Sequence, residues 1–241
     1  MKVKELEAKI KTLEKELQRL KDTEAITKLQ HVYGYYLTTF MNEELIDLFS
    51  DSPETTLEFV EGTFFGKEGV KNALGHTNND MNPEFMHQYM QIQGVIDVAE
   101  DGKTAKGRWW AFGAMAIPTA ERISQTPMDE GVYQKFSCGV YENEYIKENG
   151  VWKIWKLKWV PLYEATPAEG WVRPERLAKP RPTKEDEIRY PDWWKPDLPP
   201  KGIAYSYPSG YILPFHYRHP VTGNTSTEEK RNIRVKGYKK V

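Results

Sequence analysis

A chain of 241 residues is long enough to bury a full core in one domain and still carry appendages. The formal net charge of -1 removes any global electrostatic case for nucleic acid or for a membrane surface. The lone cysteine, Cys138, excludes an internal disulfide and fits a reducing compartment, and no apolar run is long enough to span a bilayer, so a cytoplasmic protein is expected.

Residues 1–22 carry Val3, Leu6, Ile10, Leu13, Leu17 and Leu20, spaced 3, 4, 3, 4, 3, with Lys and Glu filling most other positions. That is a heptad seam, and it predicts a short coiled coil or a helix lying along a neighbouring copy. The plainer alternative is an amphipathic helix packed on its own domain. The seam ends at Asp22-Thr23-Glu24, and a second unit, 23–163, begins there. From Glu24 to Asp51 the apolar residues Ile26, Leu29, Val32, Tyr33, Tyr36, Leu37 and Phe40 keep helical spacing. The reading is a long helix, a corner near Met41, and a shorter helix that Asn42 opens with Glu43 and Glu44 in its first turn. Gly34, inside Tyr33-Gly34-Tyr35-Tyr36, is costly for a helix and points to close approach by another backbone or a ligand.

Strands follow. Thr55–Phe65 reads as a hairpin turning at Glu61-Gly62, and Gly66 to about Leu74 as a short helix. Residues 75–84 are a loop by composition. His87 to Val98 and Thr104 to Met115 form two strands around Asp101-Gly102. A loop runs from Ile117 to Gly131. Strands Val132–Lys147 and Val151–Val160 flank Glu148-Asn149-Gly150. Helices followed by a meander make an α+β pattern. Beyond it, residues 164–241 change character. All but four of the 16 prolines lie from Pro161 onward, interleaved with Trp171, Trp193, Trp194, Tyr211, Phe215 and Tyr217. Such prolines exclude helices and central strands, and such aromatics argue against a disordered tail. An extended arm packed across this domain or a neighbouring subunit is expected. The basic residues after Glu228 read as a solvated terminus.

Several of these stretches together resemble the SnoaL-like branch of the nuclear transport factor 2-like superfamily. The first is Ile26, Leu29 and Tyr33 followed by Leu45-Ile46-Asp47-Leu48-Phe49-Ser50-Asp51. The others are HQYMQIQGVIDVAEDGKTAKGRWWAF (His87–Phe112) and YENEYIKENGVWKIWKLKW (Tyr141–Trp159). The resemblance covers about residues 24–163 and implies a curved antiparallel sheet wrapped on helices, a cone with a pocket inside. Relatives that dehydrate or eliminate commonly use an Asp in the first helix and a His on the strand that here begins near His87. Those positions fall on Thr38 and Tyr89 in this chain, with His87 two residues earlier on the same face. A hydroxyl cannot orient an imidazolium as a carboxylate does, so the usual dyad is absent.

Each long strand has one apolar face and one that mixes aromatic with polar groups. The mixed faces carry His87, Tyr89, Gln91 and Gln93; then Arg108, Trp110 and Phe112; then Tyr133, Lys135, Tyr141, Asn143 and Tyr145. Such faces suit a pocket that holds a ring and orients hydroxyls, or alternatively solvent or a subunit interface. His87 is the candidate general acid or base, with Arg108 and Lys135 as candidate anion-stabilising cations. Tyr33, Tyr36, Tyr89 and Tyr141 are candidate proton relays or substrate contacts, Trp110 a ring contact and Asn143 a polar one. His216 and His219 lack cysteine or acidic company, so no metal site is expected. Phosphate-loop, dinucleotide and GxSxG motifs are absent, and Cys138 on the apolar face is expected to be inert. The resemblance is nearest to members associated with breakdown of lignin-type diaryl compounds. It implies a cofactor-independent lyase or isomerase acting on a small phenolic molecule; the heptad seam and the aromatic arm, which lie outside the resemblance, separately predict a homo-oligomer built through the N-terminal helix and C-terminal arm. The competing readings are a binding protein that kept the pocket and lost catalysis, and a scaffold.

Overall fold

The computed structural model describes residues 3–74, 86–116, 134–167, 195–201, 203, 211–228 and 231. Helix α1 (Val3–Thr39) is one unbroken rod and α2 (Asn42–Asp47) follows a corner at Phe40, whose φ of 56° takes the chain out of the helix. The corner falls where the sequence places it. Asn42 is the first residue of α2 rather than its cap; Met41 holds the cap position and makes no side-chain cap bond. The hairpin β1 (Thr56–Phe59) and β2 (Gly62–Phe65) leads directly into α3 (Gly66–Leu74).

The first long strand divides into β3 (Met86–His87) and β4 (Met90–Val98). Then come β5 (Thr104–Ala116), β6 (Gln134–Glu148) and β7 (Val151–Ala165). The sheet runs β2-β1-β7-β6-β5-β3, with β4 also on β5. Most pairs are antiparallel, as expected, but β1 lies parallel to β7, Leu57 opposite Leu157. Local alternation carries no information about that pairing, which joins strands some hundred residues apart in sequence. β7 continues past Val160 to Ala165, through Pro161, because a bulge at Cys138/Gly139 accommodates the missing N–H.

Two further bulges, at Ile92/Val95 and at Glu144/Tyr145, add curl to the sheet. Its concave face closes on α1. Ile26, Tyr33 and Leu37 of the helix join Phe49, Leu57, Trp109, Tyr141, Tyr145, Ile154 and Leu157 in one buried core. Gly34 lets α1 touch the sheet. A Cβ there would stand 2.6 Å from Gln91 Cγ and 3.2 Å from the Tyr89 carbonyl oxygen, so the close approach read from the sequence is made by β4. On the convex face, the described part of the arm packs against its own domain. Leu198 bridges to Thr63, and Leu213 joins Val140 and Val160 in a small second core. The stretches 75–85 and 117–133, read above as loops with the start of a strand, and 168–194 of the arm lie outside the described residues.

Candidate active site

The inside of the cone divides into two regions. The middle is filled by a polar network in an apolar wall. Gln30 of α1 donates from Nε2 to Gln91 Oε1 at 2.8 Å. Its own Oε1 accepts from Asn143 Nδ2 at 2.9 Å and from the Tyr145 hydroxyl at 2.8 Å. Trp109 Nε1 donates to the Tyr145 hydroxyl at 2.9 Å. All five residues are buried, and each finds partners among the others, as buried polar groups must. Burial raises the Tyr145 hydroxyl far above its ordinary pKa, so it stays a donor.

Towards the end where β5 and β7 finish and β6 begins, the lining becomes aromatic and then ionic. Tyr33 and Tyr141 meet edge to face at 5.6 Å, and Tyr141 lies 4.7 Å from Trp159 between ring centres. Trp159 meets the edge of Tyr89 at 5.5 Å, and Tyr89 is 4.9 Å from His87. Beyond these rings sits an ion pair, Lys135 Nζ to Glu164 Oε1 at 3.2 Å, with both side chains largely buried. Ser137 donates to the same Glu164 oxygen at 3.3 Å, and the Tyr89 hydroxyl nearby donates to Met115 Sδ at 3.6 Å. The result is a cluster of proton-carrying groups, the bonded run Ser137, Glu164 and Lys135 with the Tyr89 hydroxyl beside it. Burial, reinforced by the Glu164 carboxylate, holds the Tyr89 hydroxyl well above its usual pKa. Tyr89 is therefore a protonated donor at neutral pH. Desolvation pushes His87 down to about 4, with the Lys135 charge acting in the same direction and the Leu37 carbonyl opposing both. His87 is thus a neutral imidazole, with Nδ1 3.5 Å from the Leu37 carbonyl oxygen.

The structure brings together His87, Tyr89, Lys135, Tyr141 and Tyr33 from the sequence candidates, and corrects others. Arg108 and Trp110 do not face the interior. On β5 the inward positions are Ala105, Trp109 and Ala111, all buried, which puts Arg108 and Trp110 on the convex face. Arg108 ion-pairs Glu142 there at 2.5 Å, donates to the carbonyls of Leu213 and Pro214, and lies over the Phe215 ring at 4.4 Å. Its charge clasps the arm. Trp110 is more than a third exposed. Asn143 does face inward, but both ends of its amide are engaged, with Gln30 and Tyr145 on one side and the Lys158 amide at 3.4 Å on the other. Tyr33 is fully buried against Phe49 and Tyr141. Tyr36 is half-buried against the core. His216 pairs with Glu142, and His219 Nδ1 accepts from the amides of Val221 and Thr222, so neither is arranged as a metal ligand. No metal-binding cluster of His, Cys, Asp and Glu occurs among the described residues.

Three interior groups stand outside the candidates that the sequence offers, Glu164, Ser137 and Gln30. Glu164 lies beyond Pro161, where the sequence predicts that the strand from Val151 ends and the arm begins, and the structure carries β7 on to Ala165. Ser137 is unremarkable in sequence. Gln30 had a usable signal, a polar residue on the stripe Ile26, Tyr33, Leu37. Thr38 and Tyr89 do meet, the Tyr89 amide lying 3.4 Å from Thr38 Oγ1. At the opposite end of the cone, a depression beside α1 is lined by Lys21, Ala25, Lys28, Leu29 and Trp152. Its ionic pair, Asp22 with Lys147, is already satisfied by the Trp152 and Gln18 donors.

A family profile described as the SnoaL-like domain matches residues 18–158. Among solved structures, the chain is similar to hexachlorocyclohexane dehydrochlorinase LinA-type3 from Novosphingobium barchaimii LL02. The identity is 21%, the match covers 64% of this chain and 94% of that one, and the TM-score is 0.47. It is also similar to a nuclear transport factor 2-like superfamily protein from Salmonella enterica serovar Typhimurium LT2. That match has 18% identity, covers 63% of this chain and 95% of the other, and has a TM-score of 0.45.

Proposed function

The chain belongs to the SnoaL-like domain family, and on that premise we propose that the His87 end of its cone binds a small hydroxylated aromatic molecule and acts on it as a cofactor-independent lyase or isomerase. The observation that carries this reading is the Ser137–Glu164–Lys135 run with the Tyr89 hydroxyl near it, beside the rings of Tyr141, Trp159 and His87. The rings suit an aromatic substrate. Glu164 and Lys135 supply what the Thr38 and Tyr89 positions lack, a carboxylate and a cation, and the Tyr89 hydroxyl stands beside them as a donor.

In this reading Glu164 takes the phenolic proton and Lys135 stabilises the phenolate. The phenolate lone pair pushes through the ring and breaks the bond to a benzylic hydroxyl, which leaves as water with the proton that Tyr89 supplies. Where a hydroxymethyl group lies next to that carbon, neutral His87 removes its O–H proton. The carbon–carbon electron pair returns to the ring, and formaldehyde leaves. The substrate class and the choice between dehydration, deformylation and isomerisation are part of the proposal, since a fold does not fix a function.

The test is a screen of chelator-treated protein against phenolic diaryl propanediols, read by formaldehyde release and by new conjugated absorbance. Turnover that falls by about two orders of magnitude or more in both Glu164→Gln and Tyr89→Phe is expected of general acid–base groups. Turnover left intact by both substitutions overturns the assignment. A second reading, a binding protein, is favoured by Thr38 and Tyr89 standing where the family's dyad is expected. Tight aromatic binding without product would select it.

A further inference from the structure

The first five turns of α1 have a partner of defined kind. We propose that residues 3–20 pair with the same segment of a second copy as a parallel, in-register, two-stranded coiled coil. This inference is independent of the proposed chemistry.

The seam residues Val3, Leu6, Ile10, Leu13, Leu17 and Leu20 are between 43% and 71% exposed, although they are the most apolar positions of that stretch. Their own domain lies on the other side of the helix. With Val3 lettered a in a heptad, Asp22 falls at f and Ile26 at c, and these are the first residues of α1 that are buried. Position f is roughly opposite the a/d seam on a helix of 3.6 residues per turn. The seam therefore points away from the cone, and none of the described residues of its own domain covers it.

The register chooses the occupant. Positions a hold Val3, Ile10 and Leu17, and positions d hold Leu6, Leu13 and Leu20. The β-branched Val3 and Ile10 at two of the three a positions, with leucine at every d, favour two parallel strands. In that arrangement a g residue meets the e residue five positions later on the partner. Here Lys9 would face Glu14 and Glu16 would face Lys21, opposite charges in both cases and twice over by symmetry. An antiparallel pair would bring e against e, and Glu7 and Glu14 are both acidic e residues. The seam stops at Leu20, two residues before the helix meets the cone at Lys147 and Trp152 through Asp22.

Three heptads are marginal alone, so the pairing is expected to depend on concentration. The full chain is measured by sedimentation across a concentration series, beside two single substitutions, Leu6→Cys and Leu20→Cys. The native Cys138 is buried and provides the background control. A dimer is expected, with each variant alone closing an intermolecular disulfide on mild oxidation. Monomer throughout, a trimer, or crosslinks only when the two variants are mixed overturns the proposal. Glu14→Lys should raise the dimer dissociation constant about tenfold, as two attractive pairs become repulsive, and Lys9→Glu with Glu14→Lys should restore it. An unchanged constant in Glu14→Lys overturns the register.

Discussion

Replacing Gln30 with leucine tests whether the middle of the cone is held by its polar network. The substitution keeps roughly the size of the side chain and removes every polar atom. It deletes one bond donated to Gln91, at 2.8 Å, and two accepted from Asn143 and Tyr145, at 2.9 and 2.8 Å. A buried group deprived of its partner costs about 1–3 kcal/mol. Three such losses would sum to several kcal/mol, but partners remain for some. Tyr145 keeps the Trp109 donor, Asn143 Nδ2 stays 3.4 Å from the Tyr145 hydroxyl, and Gln91 Nε2 still donates to the Tyr89 carbonyl at 3.2 Å. The expected net loss is therefore about 3 kcal/mol, nearer one fully stranded group and two strained ones than three. Urea unfolding of the full chain, at fixed protein concentration because self-association shifts the apparent stability, reads it directly. A loss below about 1 kcal/mol would refute the reasoning, since it would mean that the three partners are satisfied without Gln30.

Other perturbations bear on separate parts of the molecule. His87 sits at about 4 in the fold against an ordinary value near 6.5, so between those values the unfolded chain binds a proton that the folded one does not. Its contribution is fully present above pH 6.5 and is lost as pH falls towards 4, an effect of up to about 3 kcal/mol. Melting the wild type and His87→Phe across that range should show a steeper acid decline in the wild type; parallel curves would contradict it. Gly34→Ala sets a methyl 2.6 Å from Gln91 Cγ and 3.2 Å from the Tyr89 carbonyl, and should cost about 1–3 kcal/mol in denaturant despite alanine's better helix propensity. A gain in stability would show that α1 and β4 are not in firm contact. Arg108→Met should leave turnover on any substrate of the cone unchanged while exposing 211–217 to limited proteolysis, because Arg108 ties Leu213, Pro214 and Phe215 to Glu142. Loss of turnover with an intact arm would return Arg108 to the site.

What could be read in advance followed from short-range physics. The corner at Phe40, the hairpins and the inward set Lys135, Tyr141, Asn143 and Tyr145 came from periodicity and turn residues. β5 was misread for a physical reason. Its inward residues beside Trp109 are Ala105, Gly107, Ala111 and Gly113, small because other parts of the fold press on them: a Cβ on Gly113 would collide with the Gln88 carbonyl. Small residues give no sign of a buried face when the opposite face holds Arg108, Trp110 and Phe112. Those side chains look purposeful because Arg108 and Trp110 sit on a convex surface partly clad by the arm, and Phe112 stacks on Phe136. Nothing local in the sequence announces that cover. Glu164 was hidden similarly, behind a proline that a bulge makes tolerable.

The continuity of α1 has a mechanical consequence. The rod that carries the exposed seam also carries Ile26, Gln30, Tyr33 and Leu37 into the cone, with no hinge between them. It is a keyed shaft. Each residue added between Leu20 and Ile26 would turn the cone by about 100° about the seam and move it about 1.5 Å along the axis. An insertion of seven would nearly restore the original bearing, short by about 20°. In a pair joined as proposed, the bearing of the two cones would be set by a count of residues along α1 and reset one helical step at a time.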